Sequence, residues 1–199
     1  MKKLFFITLL GLIFFVSCET DEDSKNQWIV DNVVYEKLND TSVKVTGAQQ
    51  GMENLVIPAS ITITMDDTEK LFKVTEIGDY AFKNNYSITL LIVPNSVVKI
   101  GEGAFYGCFG IQTAFIGYSV VEIGSYAFFS PNSINNNTRY ILLPKTPPTI
   151  GQRAIDTGYV YVKEDCLESY QNAWGYGFNF ATIDDDVYDE ALKQMDSAN

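Results

Sequence analysis

The chain of 199 residues is 46% hydrophobic and 20% charged, a composition typical of one globular domain. Its formal net charge of −11 argues against nucleic acid and anionic membrane surfaces as binding partners, because negative charges repel phosphate groups. The sequence contains no histidine, which excludes Ser-His-Asp and Cys-His catalysis and histidine-based zinc sites.

Residues 1–18 have the composition of a secretory signal peptide. Lys2 and Lys3 are followed by an apolar run at residues 4–16 and then by Cys18. The run is shorter than the roughly 20 residues that a membrane-spanning helix needs, so a transmembrane anchor is the weaker alternative. Removal of this segment leaves 12 basic and 25 acidic residues, a formal net charge of −13.

The segment before Cys18 resembles the lipobox of bacterial lipoproteins, since Val16 lies two residues before the cysteine and Ser17 directly before it. The resemblance implies acylation of Cys18, with palmitate-like chains that hold the protein on a membrane without a spanning helix. Several acyl chains suffice for stable anchoring, because each buried methylene contributes about 0.8 kcal/mol. The alternative is a chance cysteine at the end of a plain signal peptide.

Residues 19–27 form an acidic, flexible tether, because such a polar run cannot bury enough apolar surface to fold. Acidic residues after a lipidated cysteine also resemble the surface-export signal of lipoproteins in Bacteroides-like bacteria. The resemblance implies attachment to the outer membrane with exposure at the cell surface. The periplasmic side of the same membrane is the alternative.

Residues 28–73 predict short strands. Apolar alternation at 29–30, 33–38 and 43–46, with turn-forming residues at 39–42, predicts antiparallel strands that form an N-terminal β cap. A strand at 55–57 ends at Pro58, and a further hairpin over residues 61–74 turns at 65–68.

Residues 74–163 contain a repeated phrase with the form V-x-x-I-G-x-x-A-F. It occurs at residues 74–82, 98–105, 121–128 and 148–155, and its isoleucines are 23, 23 and 27 residues apart. A fixed period of this size predicts a solenoid, in which each unit packs on its neighbours. A second element, an apolar triplet, recurs at residues 55–57, 91–93, 114–116 and 141–143, with a looser copy at 159–162.

The residue types that recur in the phrase predict where each residue lies in a repeat unit. The glycine that follows each short strand is expected at a bend with positive φ. The alanine fits a tight inner corner. Phe82, Phe105 and Phe128, followed by Ile155, are expected to stack as one apolar column.

These phrases resemble the BspA-type leucine-rich repeat over about residues 33–183. The resemblance implies a mainly β, right-handed leucine-rich-repeat solenoid of about four 23-residue repeats, with a β-hairpin cap and a helix/strand cap. It also implies a surface or secreted protein that binds host extracellular-matrix protein or acts as an adhesin. This chain departs from the family in a polar insertion at 130–138 and in Ile155, where phenylalanine is usual.

Residues 164–183 predict the C-terminal cap. Asp165 with Glu168 three residues later predicts an N-cap, with a helix through Trp174 that ends at Gly175. A closing strand is expected at 178–183. Residues 184–199 form an acidic tail, either a weak helix or disordered, in which the carboxylates at 184–186 are interpreted as solvated charge, with calcium binding as the alternative.

Two cysteines, Cys108 and Cys166, are interpreted as buried and unpaired, with a disulfide between them as the alternative. No phosphate-binding loop or dinucleotide motif is present, and no cofactor or metal site is expected. Paired carboxylates stay possible, but most acidic residues fall in the tether, turns or tail, so we expect no enzyme.

The candidate ligand contacts are the aromatic residues outside the repeated phrase, with packing on neighbouring repeats as the alternative for each: Tyr86, Tyr106, Phe109, Tyr118 and Phe129. The leading functional hypothesis is a non-catalytic adhesion or protein-binding module. The alternatives are a glycan-binding accessory lipoprotein of a nutrient-uptake system and a structural envelope protein.

Overall fold

The computed structural model describes residues 5–9, 12–16, 26–49, 51–131, 137–175 and 177–197. Strands β1 (Phe5–Leu9) and β2 (Leu12–Val16) pair as an antiparallel hairpin within the segment that the sequence analysis assigns to a signal peptide. Cys18 and residues 19–25 of the acidic tether lie outside the described residues. Within the described part of the chain, no helix has the length and apolar content that crossing a bilayer requires.

Three antiparallel strands follow, as the alternation predicted: β3 (Gln27–Val30), β4 (Val33–Lys37) and β5 (Ser42–Ala48). Asp31 and Asn32 link the first two with φ values of 48° and 65°, the left-handed pair typical of a tight hairpin turn. The side chains of Val43 and Val45 point inward and are fully buried, so this group of strands contributes directly to the core.

The next hairpin also matches its prediction. It consists of β7 (Ser60–Met65) and β8 (Thr68–Ile77), with Met65 opposite Thr68 across the turn. The C-terminal half of β8 extends beyond β7 and pairs in parallel with β5, with Val45 opposite Ile77. Strand β8 therefore joins the antiparallel strands to the repeat region.

The repeats build two parallel sheets. The first sheet continues from β8 through β10 (Lys99–Ile100), β12 (Glu122–Ile123) and β14 (Thr149–Ile150), and its order is β14-β12-β10-β8-β5-β4-β3. The second sheet has the order β16-β15-β13-β11-β9-β6, and its strands are β6 (Asn54–Val56), β9 (Leu90–Val93), β11 (Thr113–Ile116), β13 (Arg139–Leu142), β15 (Tyr159–Lys163) and β16 (Asn179–Ile183). Each I-G phrase supplies one strand to the first sheet, and each apolar triplet supplies one to the second.

The core between the sheets contains the predicted phenylalanine column. The rings of Phe82 and Phe105 stack with centroids 5.1 Å apart, and those of Phe105 and Phe128 are also 5.1 Å apart and nearly parallel. This distance is close to the spacing of about 4.8 Å between paired strands, so each ring rests on the ring of the preceding repeat. Ile155 is buried as well.

The expectation of positive φ was wrong for the glycines that follow the I-G strands: Gly78, Gly101, Gly124 and Gly151. Their role is close backbone approach, because a Cβ on Gly124 would lie 2.6 Å from the backbone nitrogen of Glu102 in the preceding repeat. Positive φ occurs two residues later in every phrase, with values between 50° and 56° at Tyr80, Gly103, Tyr126 and Arg153.

A short helix packs against the last repeat. A 3-10 turn (Glu164–Cys166) leads into α1 (Leu167–Trp174), which ends at Gly175 with φ of 81°, as predicted. The prediction of Asp165 as an N-cap was wrong, because this residue lies inside the 3-10 turn and no side chain caps α1. The Trp174 indole donates a hydrogen bond to the Pro148 carbonyl at 2.8 Å.

The acidic tail forms a helix, α2 (Asp185–Ser197), in agreement with the helical alternative, and the sequence analysis did not foresee its packing on the sheet. Tyr188, Ala191 and Met195 are buried against the outer face of the second sheet. The Asp184 carboxylate accepts a hydrogen bond from the Val187 backbone N–H at 3.0 Å, which caps the helix. The apolar face of α2, rather than its net charge, determines where it lies.

Cys108 and Cys166 are free and buried, so the prediction of two unpaired thiols is confirmed. The Cys108 thiol donates a hydrogen bond to the Phe82 carbonyl at 2.9 Å. Burial raises the pKa of Cys108 to about 12, which keeps the thiol neutral and unreactive at physiological pH.

Candidate functional site

The outer face of the first sheet carries a row of alternating charges. The strand register aligns acidic and basic side chains in sequence: Glu36, Lys44, Glu76, Lys99 and Glu122. Lys44 lies 3.1 Å from Glu36 and Lys99 lies 2.9 Å from Glu122, and the hydrogen bond to Glu122 raises the pKa of Lys99. Because these charges neutralise one another, the row offers little net charge to a ligand.

The outer face of the second sheet is apolar but covered. Its register aligns Val56, Ile92, Phe115, Ile141 and Tyr161 in one row, which we call the apolar row. Helix α2 packs over most of this row, and Ile92 and Ile141 are buried there. Thirteen residues at 1.5 Å each give a helix of about 20 Å, which equals four strand spacings of about 4.8 Å. The helix is thus long enough to cover several repeats at once.

Helix α2 is held at its N-terminal end by polar contacts. The Tyr188 hydroxyl donates a hydrogen bond to the Leu143 carbonyl at 2.8 Å, and Lys163 forms an ion pair with Asp185 at 2.7 Å. The Lys163 ammonium also lies 4.9 Å from the centre of the Tyr188 ring. These contacts fix the helix to β15 and to the residue that follows β13.

A third surface, the turn face, consists of the segments between each I-G strand and the next triplet strand. Here the rings of Tyr86 and Phe109 stack at 4.5 Å, yet the two residues remain 54% and 41% exposed. Both are predicted contacts. Each ring packs on the neighbouring repeat and still presents an edge to solvent, and ligand contact stays a prediction. An exposed aromatic pair of this kind is typical of interaction surfaces.

The turn face continues around Lys83. Its ammonium lies 5.2 Å from the centre of the Tyr80 ring and 5.5 Å from that of Tyr106, a predicted contact that is partly exposed. The Tyr80 hydroxyl donates a hydrogen bond to the Glu102 carboxylate, which raises the pKa of Tyr80. Gly103 makes this possible, because a Cβ there would collide with the Tyr80 ring.

Sequence reasoning missed Tyr80 and Lys83. Tyr80 lies inside the repeated phrase, whereas candidate contacts were sought only outside it, and its positive φ turns the side chain outward. The available signal was variation within the phrase: the same position is occupied by Gly103 and Arg153 in other repeats, and a core position would not tolerate that range.

The other two predicted contacts lie elsewhere. Phe129 is only 8% exposed, and its ring packs on Tyr106 at 5.6 Å and under the Arg153 guanidinium at 4.2 Å. Packing on neighbouring repeats therefore describes Phe129 better than ligand contact does. Tyr118 is 54% exposed and lies at a corner beside α2, apart from the turn face.

Nothing in this arrangement points to catalysis or to a metal. Among the described residues, no group of three or more Cys, Asp or Glu side chains is placed to hold a metal ion. The carboxylates at 184–186 cap and begin α2, where negative charge is favoured by the helix dipole. The surface is suited to binding through aromatic edges and a few charges.

Residues 60–157 match the family model described as "BspA type Leucine rich repeat region (6 copies)". No curated protein matches the chain. The chain therefore carries a BspA-type leucine-rich repeat region, as the sequence motifs indicated. No catalytic family is indicated by these comparisons, and repeats of this type suggest a protein-interaction module.

Solved structures of bacterial proteins show the same fold. A leucine-rich repeat protein from Bacteroides capillosus is 26% identical with a TM-score of 0.56, and the match covers 68% of this chain and 98% of that one. Another from Bacteroides ovatus is 26% identical with a TM-score of 0.54, covering 69% of this chain and 36% of that one. A leucine rich cell surface protein from Faecalibacterium prausnitzii is 21% identical with a TM-score of 0.52, covering 80% and 43%.

Proposed function

We propose that this protein is a non-catalytic cell-surface lipoprotein whose turn face binds another protein. The observation that supports this most directly is the exposed cluster of Tyr80, Lys83, Tyr86 and Phe109. The two sheet faces are unsuited to the task, because one is neutralised by ion pairs and the other is covered by α2. The exposed cluster also argues against a purely structural envelope role, which would not require aromatic side chains in water.

We further propose that the two sheets wind as a right-handed solenoid of about four 23-residue repeats. The alternation of strands between the sheets supports this, since chains that return to the same sheet in parallel do so with right-handed connections. In this arrangement strands β3–β5 close one end of the core. Helix α1 and β16 close the other, where Tyr170 is fully buried and its hydroxyl donates a hydrogen bond to the Pro144 carbonyl at 2.8 Å.

The proposed location rests on residues 1–27 and on the chain's relatives. The lipobox-like segment ending at Cys18 supports lipid attachment to the outer membrane, and the acidic tether supports export to its outer surface. The similarity to a Faecalibacterium prausnitzii protein described as a cell surface protein agrees with this placement. The partner we propose is a host extracellular-matrix protein or another cell-surface protein.

Location can be tested by protease treatment of intact cells that express the full chain. We expect cleavage of the wild type, labelling with palmitate, and loss of both in Cys18→Ala. A variant with the tether carboxylates changed to amides should keep the lipid but become protected. If the wild type resists protease until the cells are lysed, surface exposure is wrong.

Binding can be tested with immobilised collagen, fibronectin and laminin as probes. Tyr86→Ala and Phe109→Ala should each weaken retention of the protein by about tenfold, because buried aromatic contacts dominate interfaces. Tyr159→Ala is the matched control, since Tyr159 is a comparably exposed tyrosine on the second sheet. Equal loss in the control, or retention that no variant alters, would contradict a binding role for the turn face.

A glycan-binding accessory protein is the second candidate function. Tyr118 supports it, because this predicted contact lies in a groove that is also lined by hydroxyl, ammonium and carboxylate side chains.

A further inference from the structure

A groove separates α2 from the corner that follows strand β11. Its volume is about 720 Å³, within the range of small-molecule sites. Its lining includes Tyr118 and Val121 from that corner, Asp189 and Leu192 from α2, and Lys145. The groove exists only because α2 packs on the second sheet.

The apolar part of the groove is unusually open to solvent. Val121 is 64% exposed, and Tyr118 is as exposed as Tyr86 of the turn face. Unlike Tyr86, however, the ring of Tyr118 stacks on no other aromatic ring and lies under no cation in the part of the chain that the structure describes. A face of the Tyr118 ring is therefore available to stack against a ligand.

Part of the polar lining is free to contact a ligand. Four of its side chains form no hydrogen bond or ion pair within the described residues: Ser119, Lys145, Thr146 and Asp189. They supply hydroxyl, ammonium and carboxylate groups, so the groove offers both donors and acceptors. The charges are balanced, because the lining contains Lys145 together with Asp189, and Lys163 is already paired with Asp185.

We propose that this groove binds a short neutral oligosaccharide. The apolar face of a sugar ring fits on an exposed tyrosine ring, and its hydroxyls can donate to Asp189 and accept from Lys145 and the two hydroxyl side chains. A strongly anionic ligand is disfavoured because the carboxylates of Asp185 and Asp189 offset the two lysines. The groove is distinct from the turn face, so saccharide binding in the groove can be tested independently of protein binding on the turn face.

The test uses the full chain and linear hexasaccharides of glucose, mannose, galactose and xylose as probes. Binding is measured by saturation-transfer NMR and titration calorimetry. We expect at least one probe to bind, with a dissociation constant raised about tenfold or more by Tyr118→Ala and several-fold by Asp189→Asn. Tyr86→Ala is the matched control, because it removes an equally exposed tyrosine outside the groove and should leave saccharide binding unchanged.

Three results would overturn the proposal. The first is the absence of binding by all four probes at millimolar concentration. The second is binding that Tyr86→Ala weakens and Tyr118→Ala does not, which would place the saccharide on the turn face. The third is tighter binding of a galacturonic acid hexasaccharide that depends on Lys145, which would make the site one for anions. The melting temperatures of Tyr118→Ala and Asp189→Asn, measured alongside these titrations, show whether weaker binding comes from a lost contact or from loss of the fold.

Discussion

The outer faces of the two sheets show two different ways to keep a parallel sheet from associating with other molecules. On the first sheet, alternating acidic and basic side chains neutralise one another across the strands. On the second, the corresponding positions are apolar, and the chain covers most of them with its own C-terminal helix. Parallel sheets normally need cover on both faces, and here only one face requires it, because the other is polar. The turn face carries the exposed, stacked pair of Tyr86 and Phe109.

The largest expected effect comes from removing the cover. Ending the chain after Asp184 should lower the free energy of unfolding by about 5 kcal/mol, because several large apolar side chains of α2 and of the apolar row lose their burial. The truncated protein should also self-associate. Urea unfolding and sedimentation velocity measure the two effects.

Single substitutions in α2 show whether its apolar face is responsible. Met195→Ala should cost about 2–5 kcal/mol, whereas Lys193→Ala on the exposed side of the same helix should cost almost nothing. A truncated chain that keeps its stability and stays monomeric would mean that the apolar row does not need covering.

The core between the sheets is shared by both of them. A substitution in the core should therefore lower stability without exposing either outer face. Phe105→Ala removes the middle ring of the stacked column and should cost about 3–5 kcal/mol, without creating an exposed patch. Phe109→Ala, at a half-exposed ring on the turn face, should cost about 1 kcal/mol or less. Similar melting temperatures for the two variants would show that Phe105 contributes no more than a surface ring does.

Close approach of neighbouring repeats is a smaller and more local constraint. Gly124→Ala should destabilise by about 1–3 kcal/mol, because its Cβ would meet the backbone of Glu102. Gly177 has open space around it, so Gly177→Ala should be neutral or slightly stabilising. Denaturant unfolding of both variants measures the difference. An equal effect on the free energy of unfolding would mean that close backbone approach is not the reason for glycine at position 124.

The repeat period made most of the strand pairing predictable from the sequence. A residue such as Ile100 has equivalents 23 residues away on both sides, so period alone aligns it with Ile77 and Ile123. The glycine conformation was not predictable in this way. A glycine at a bend can be explained either by a positive φ or by close approach of another backbone segment. Only the positions of the neighbouring backbone atoms distinguish the two explanations.

The packing of the C-terminal helix on the second sheet was not predicted, for a different reason. Its apolar residues Tyr188, Ala191 and Met195 have helical spacing, but they are diluted among acidic side chains. The complementary signal lay in the triplets, which are apolar at three consecutive positions and must therefore bury both faces of a strand. The groove depends on this packing, so Tyr118 could be named from the sequence while its neighbour Asp189, 71 positions further along, could not.

The smallest expected effect on stability tests the charged face. Lys99→Ala removes a surface ion pair and should lower the free energy of unfolding by less than about 1 kcal/mol, with the difference lost in high salt. Replacing Lys99 with Ile and Glu122 with Val should instead give a protein that is stable but self-associates, because the first sheet would then carry an uncovered apolar patch. Sedimentation velocity compares this double variant with wild type. A monomeric double variant would show that the charges are not what keeps this face free, and the contrast between the two sheets would then lie in α2 alone.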